Sequence, residues 1–160
     1  MQNNQEEIIL HDDKDFLICI DQGMTTDLNR FLIVYKDQEL HSIRNLEGCH
    51  VSLLLRSYEA AKKCIEAVYD SCGPPPRYSI YFNYLPSVYQ LHAHVVPHEN
   101  KIHLRSHNIL RVVKNLYLDD HYYKKALILT RIAKSNPLFS SYMQHKIMSS
   151  DELEKRHPKE

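Results

Sequence analysis

The sequence predicts a mixed domain in which short strands form an open sheet and amphipathic helices cover it, and three observations carry that expectation. Phe16-Leu17-Ile18-Cys19-Ile20 and Arg30-Phe31-Leu32-Ile33-Val34-Tyr35 are short apolar runs rich in β-branched and aromatic residues, bounded by polar, turn-forming segments. From His50 the period changes, with Val51, Leu54, Leu55, Tyr58, Ala61, Ile65, Val68 and Tyr69 recurring at three and four, which is the stripe of a helix buried on one face. Beyond it, Gln90 to Val95 alternates: as a strand, it turns Gln90, His92 and His94 to one side and Leu91, Ala93 and Val95 to the other.

Taken in order, Glu7 to Leu10 and Phe16 to Ile20 are two strands joined through the acidic link His11 to Asp15. Arg30 to Tyr35 is a third, apolar enough to be buried on both faces. His41 to Cys49 connects it to the helix, which ends near Asp70 before Gly73-Pro74-Pro75-Pro76, where proline lacks the amide hydrogen a helix needs. Tyr78 to Tyr84 is a fourth strand, turned through Pro86-Ser87 into the histidine strand as an antiparallel pair. Ser106 is placed to cap a helix through about Tyr117 with Ile109, Leu110, Val113 and Leu116 inward. Lys124 to Ala133 reads as a further strand, its Ala and Leu content leaving a helix open, and Ser135-Asn136-Pro137 as a helix start with Leu138, Tyr142 and Ile147 on the buried side. One domain over residues 1–148 and a charged, flexible tail over 149–160 complete the expected organisation.

Composition narrows the function classes. At 160 residues one core is expected, and 43% hydrophobic with 25% charged residues is ordinary for a globular chain. Lys+Arg 20 balances Asp+Glu 20, which argues against a general nucleic-acid coat or a membrane-surface protein, since both depend on attraction to anionic phosphates. Cys19, Cys49, Cys64 and Cys72 have neither C-x-x-C spacing nor disulfide-scaffold density, and no apolar run approaches the roughly 18 residues that span a bilayer. A reducing compartment, cytoplasmic or alternatively nuclear, with no membrane partner, is the expectation.

The chemistry concentrates in Asn83 to Pro97. Two imidazoles on one strand face stand about 6.5–7 Å apart along the strand, so one can attack a phosphorus while its neighbour holds that phosphate's oxygens. The bare pattern stays open to other readings: in a chain with 11 His, surface or core imidazoles also produce H-x-H, and His92, His94 and His98 together have the donor type of a zinc site, though without a carboxylate or thiolate at matching spacing.

The wider segment Tyr84-Leu85-Pro86-Ser87-x-Tyr89-x-Leu91-His92-x-His94 resembles the histidine-triad segment of the scavenger mRNA decapping enzymes, approximately H-Y-L-P-S-Y-Y-H-L-H-V-H-F. Family-like order continues through Phe16 to Asp21, Asp27-Leu28, Ser42 to Leu46, Leu53 to Leu55, and His121 through Asn136-Pro137-Leu138, covering roughly Glu7 to Met148. The resemblance is to the carboxy-terminal domain of those enzymes. It implies a histidine-triad-like α+β fold with a mainly antiparallel sheet, a homodimer, and hydrolysis of a 7-methylguanosine cap nucleotide or short capped RNA fragment without a cofactor or metal. It also implies roles: His92 as nucleophile forming a phosphohistidine, His94 as its phosphate-holding neighbour, and Asn83, Ser87, Gln90 and Asp21 as substrate contacts.

The departures are specific. Gln90 stands at the first triad position, where a backbone carbonyl that orients the central imidazole survives any substitution but a titratable side chain does not. Val88 replaces a family tyrosine, Asn83 a histidine, and Gly23-Met24 a lysine and an aromatic. There is no Trp to stack on a methylated purine, although 11 Tyr are present, and a separate cap-clamping polypeptide would fill the place of the family's amino-terminal domain. Two other functions remain beside cap hydrolysis: a non-catalytic nucleotide- or protein-binding domain, and a hydrolase of dinucleoside polyphosphates or nucleoside phosphoramidates.

Overall fold

In a computed structural model, residues 8–21, 30–70, 73–98, 105–128, 130 and 132 are described. The chain divides into two compact units, residues 1–129 and 130–160, and the fold below is that of the first. Six strands form one sheet: β1 (Ile9–Asp12), β2 (Phe16–Ile20), β3 (Phe31–Tyr35), β4 (Tyr78–Asn83), β5 (His92–Pro97) and β6 (Ser106–Asn108). Their spatial order is β1-β2-β3-β5-β4-β6, and every neighbouring pair is antiparallel. The helices are α1 (Val51–Tyr69), α2 (Ile109–Leu118) and the single turn α3 (Tyr122–Lys125). This is the α+β, mainly antiparallel architecture expected from the sequence.

The two-residue period divides the sheet into two unlike faces. Phe16, Ile18, Phe31, Ile33, Tyr35, Ile80, Phe82, Ala93 and Val95 are buried and share a core with Leu54, Ala61 and Ile65 of α1 and Ile109, Val112 and Leu116 of α2. Beneath α1 the Tyr35 hydroxyl lies 2.8 Å from Ser57 Oγ, which donates to the Leu54 carbonyl at 2.9 Å, so two buried hydroxyls satisfy each other. Burial drives the Tyr35 phenol well above its ordinary range.

Registers place the residues of the other face in rows. Val34 pairs with His92 and Leu32 with His94 across β3–β5, while Tyr81 pairs with His94 across β4–β5. β3 therefore alternates between buried and half-buried side chains rather than being enclosed on both sides, because its second face belongs to the histidine side of the sheet.

Several local expectations are corrected. β1 runs from Ile9 through Asp12, so His11 and Asp12 are strand residues and only the turn that follows is link; Ile20 N donates to the Ile8 carbonyl at 3.0 Å. Ser106 is in β6, and the cap of α2 is Asn108, whose Oδ1 accepts from Leu110 N at 3.0 Å and Arg111 N at 3.3 Å. That two-residue shift turns Ile109, Val112 and Leu116 inward and leaves Leu110 exposed. Lys124 and Lys125 close α3, and the chain from Ala126 to Ile128 is in neither helix nor strand, so the strand expected from Lys124 does not form there. The helix expected from Ser135 and the tail over 149–160 lie outside the described residues.

Arg44 holds the α3 end against the sheet. Its Nη1 donates to the carbonyls of Tyr123 (2.6 Å) and Ala126 (2.7 Å), its Nε to the Tyr84 hydroxyl (3.2 Å), and its guanidinium lies 5.0 Å from the centre of the Tyr84 ring. Tyr84 opens the connection from β4 to β5, so one side chain ties three segments together beside the histidine strand. No helix among the described residues is long and apolar enough to cross a membrane.

Candidate active site

β5 lies between β3 and β4, so the two imidazoles it carries sit in the middle of the sheet rather than at an edge. The alternation read from the sequence is present: Leu91, Ala93 and Val95 are buried, while Gln90, His92 and His94 are half-buried on the opposite face. β5 itself begins at His92, and Gln90 belongs to the preceding connection. Main-chain bonds fix that connection, with Leu91 N donating to the Leu40 carbonyl at 2.7 Å and Tyr35 N to the Leu91 carbonyl at 3.1 Å.

The backbone orients the central imidazole. His92 Nδ1 lies 2.7 Å from the carbonyl oxygen of Gln90. A carbonyl can only accept, so Nδ1 carries a proton, and in the neutral ring the lone pair is therefore on Nε2. The side chain at position 90 plays no part in that bond. The Gln90 amide turns the other way, donating to the carbonyls of Tyr35 (2.5 Å) and Asp37 (3.0 Å), which secures the connection to the end of β3.

His94 sits in a different setting. Its ring stacks on Tyr81, with centres 5.5 Å apart, and meets the His92 ring edge-on at 5.3 Å. Its Nδ1 is buried without a hydrogen-bond partner and lies 4.0 Å from an Asp21 carboxylate oxygen. Burial, reinforced by the charges of His92, Arg30 and Arg105 and opposed by Asp21, lowers its pKa to about 4. The ring is neutral at pH 7, so the His94–Asp21 contact is not an ion pair.

The other expected residues are placed around this pair. Asp21 follows β2, its carboxylate only 12% exposed, and its amide donates to the Arg30 carbonyl at 2.8 Å. Asn83 ends β4 and accepts at Oδ1 from Ser106 Oγ, 3.1 Å away; continuing the β4–β5 register by one residue sets it opposite His92. Ser87 is exposed in the β4–β5 connection and makes no hydrogen bond to either histidine. His98 Nδ1 is engaged by Ser79 Oγ at 3.0 Å, and among the described residues no three His, Cys, Asp or Glu side chains come together as a metal site.

Three residues beyond those expected belong here: Tyr81, Arg30 and Arg105. Tyr81 is the cross-strand partner of His94, and both guanidiniums act on the His94 ring and on the Tyr81 phenol. The strand alternation that puts Leu32 and Val34 on the histidine face also puts Arg30 there, so the signal for Arg30 was present once β3 and β5 were paired. No comparable pattern marks Arg105, which precedes the short β6.

An imidazole with a presented Nε2, beside a neutral imidazole, two guanidiniums and one carboxylate, is suited to holding an anion and attacking it. A family model described as scavenger mRNA decapping enzyme C-term binding matches residues 1–109. None of the curated proteins matches the chain. Among solved structures, the aprataxin ortholog Hnt3, crystallised in complex with DNA, is similar at 17% identity with a TM-score of 0.41, over 91% of this chain and 88% of that one.

Proposed function

The chain belongs to the family of scavenger mRNA decapping enzyme carboxy-terminal domains, and we propose that it hydrolyses a phosphoanhydride of residual 7-methylguanosine cap nucleotides through His92. The single observation that carries this reading is the 2.7 Å bond between His92 Nδ1 and the Gln90 carbonyl, which leaves Nε2 as the free lone pair of a fixed imidazole.

In the proposed reaction His92 Nε2 attacks the phosphorus next to 7-methylguanosine. The bond from that phosphorus to the bridging oxygen breaks, and its electron pair leaves on a nucleoside diphosphate or a capped fragment's 5′-diphosphate. Water then attacks the phosphohistidine, releases 7-methylguanosine monophosphate and returns the lone pair to Nε2. The leaving diphosphate departs as an anion and needs no proton at neutral pH. Loss of a titratable side chain at Gln90 is therefore compatible with anhydride cleavage. His94, neutral and partnerless at Nδ1, can donate a hydrogen bond to a non-bridging oxygen, and the nearby guanidiniums offset the charge developing there. Asn83 opposite His92 and Asp21 beside His94 are the groups placed for further contacts to substrate; Ser87 would need to move with its connection to join them. Homodimerisation, and a separate polypeptide that clamps the base, are parts of the same proposal.

Incubating the chain with a methylated cap dinucleotide tests it: wild type releases 7-methylguanosine monophosphate and His92→Ala does not. Absence of product from wild type, or equal product from the variant, contradicts hydrolysis. Nucleotide binding that survives His92→Ala with no turnover in either protein would make the domain a binding module.

A further inference from the structure

We propose that Arg30 is a direct phosphate ligand of this site, binding the phosphate chain on the side of His94 away from His92; the inference rests on the nucleotide-hydrolase reading above and deepens it. Register gives the position. Leu32 pairs with His94, and continuing by one strand period on each chain sets Arg30 opposite Val96, one row beyond His94 on the same face. On its other side Arg30 is opposite Asp21, as the 2.8 Å bond from the Asp21 amide to the Arg30 carbonyl requires. The row holding Arg30 thus continues, at the usual spacing of about 7 Å per two residues, the line that runs from His92 to His94. A triphosphate attacked at His92 extends toward the His94 row, and the Arg30 guanidinium, close enough for its charge to act on the His94 ring, reaches back from its own row to meet it.

The side chain is also unusual for a structural arginine. Its Nε is buried and has no hydrogen-bond partner, and no carboxylate lies within ion-pair distance of its guanidinium among the described residues. A buried N–H on a charged group without an acceptor is unfavourable, and an arriving phosphate oxygen supplies that acceptor. The buried orphan on Arg30 and the buried orphan on His94 Nδ1 lie on adjacent rows of one face. Among the described residues, Asp21 is the carboxylate acting on His94 and Tyr81, against the two guanidiniums of Arg30 and Arg105. Arginine suits the role because its planar fork matches two phosphate oxygens at once.

The test measures binding separately from cleavage, with a methylene-bridged cap dinucleotide that cannot be hydrolysed at the bridge. Titration calorimetry compares wild type with Arg30→Gln, Arg30→Lys and Lys62→Gln, the last removing the same charge from α1 on the opposite side of the sheet. Arg30→Gln is expected to bind at least tenfold more weakly, Arg30→Lys to fall between it and wild type, and Lys62→Gln to match wild type. In wild type itself, the Arg30 Nε–H resonance in nitrogen-edited NMR is expected to move downfield on adding the analogue, a readout that needs no variant to fold. Equal affinity of Arg30→Gln and wild type, or an Nε–H resonance that does not move while the analogue binds, overturns the assignment of Arg30 and leaves the hydrolase reading standing. A wild type that neither binds the analogue nor cleaves the cap dinucleotide overturns both.

Discussion

His92 Nδ1 donates its hydrogen bond to the chain itself, 2.7 Å from the Gln90 carbonyl, while the Gln90 side-chain amide donates to the carbonyls of Tyr35 and Asp37. Orientation of the nucleophile and identity of the side chain at position 90 are thereby separated. A substitution there alters the anchoring of the connection and any proton available to a leaving group, but not the acceptor that sets the imidazole tautomer.

Gln90→Ala should therefore keep turnover of a cap dinucleotide within about tenfold of wild type, since the reaction loses no transition-state contact through the amide. Stability should fall by about 1–2 kcal/mol, because the Tyr35 and Asp37 carbonyls lose their donor. Chemical denaturation and initial rates measure the two effects side by side.

Gln90→His should act on the leaving group. An amine leaving from a nucleoside phosphoramidate needs a proton, whereas a diphosphate does not, and His94, neutral near pH 7, is not an acid of suitable strength to supply one. Wild type is expected to cleave anhydrides in preference to phosphoramidates, and the variant to narrow that ratio by tenfold or more. A wild-type preference for phosphoramidates would contradict this use of the site.

His94 also predicts an acid limit to stability. Its folded pKa of about 4 lies below its ordinary value of 6.5, so between those values the unfolded chain binds the proton and the folded chain does not. Stability is fully present above about pH 6.5 and declines as pH falls toward 4, by up to about 3 kcal/mol at roughly 1.4 kcal/mol per unit. His94→Gln should flatten that part of the curve of unfolding free energy against pH. An unchanged slope between pH 4 and 6.5 would show that His94 is not the group responsible.

Arg44 should be among the costlier single losses outside the core. Arg44→Ala leaves the Tyr123 and Ala126 carbonyls without their donor and removes one hydrogen bond from the Tyr84 hydroxyl, for a loss of about 2–4 kcal/mol. Because Tyr84 starts the connection that delivers Gln90 and His92, the cap-cleavage rate should fall as well, even where the protein is still folded. Arg44→Lys keeps the charge but not the fork, and should restore only part of the stability.

Periodicity made the main architecture legible. The stripe from Val51 to Tyr69 and the alternation around His92 appear in the sequence and as α1 and β5, because each pattern has one face that must be buried. Short elements escaped it. β6 spans only Ser106–Asn108, too brief for a period to show, and Asn108 captures the cap of α2 that Ser106 could equally have supplied. Lys124 to Ile128 has the apolar content of a strand, yet Tyr123 is drawn into the core and Arg44 binds the carbonyls around it, contacts that no local pattern encodes. At the site, the motif located His92 and His94, and the strand phase placed Asn83 near them. The neutrality of His94 was only partly legible: its neighbour His92 stands in the motif, but the burial that dominates comes from packing, and Arg30 and Arg105 come from other segments of the chain.

The most direct measurement is to trap the intermediate: the chain is mixed with a cap dinucleotide labelled at the phosphorus next to 7-methylguanosine, quenched within milliseconds, and digested for mass spectrometry. The account predicts an acid-labile, base-stable 7-methylguanosine monophosphate adduct on the peptide containing His92, absent from His92→Ala. Cleavage of the dinucleotide by wild type with no adduct under conditions that trap phosphohistidine, or with the adduct on any other residue, would contradict it.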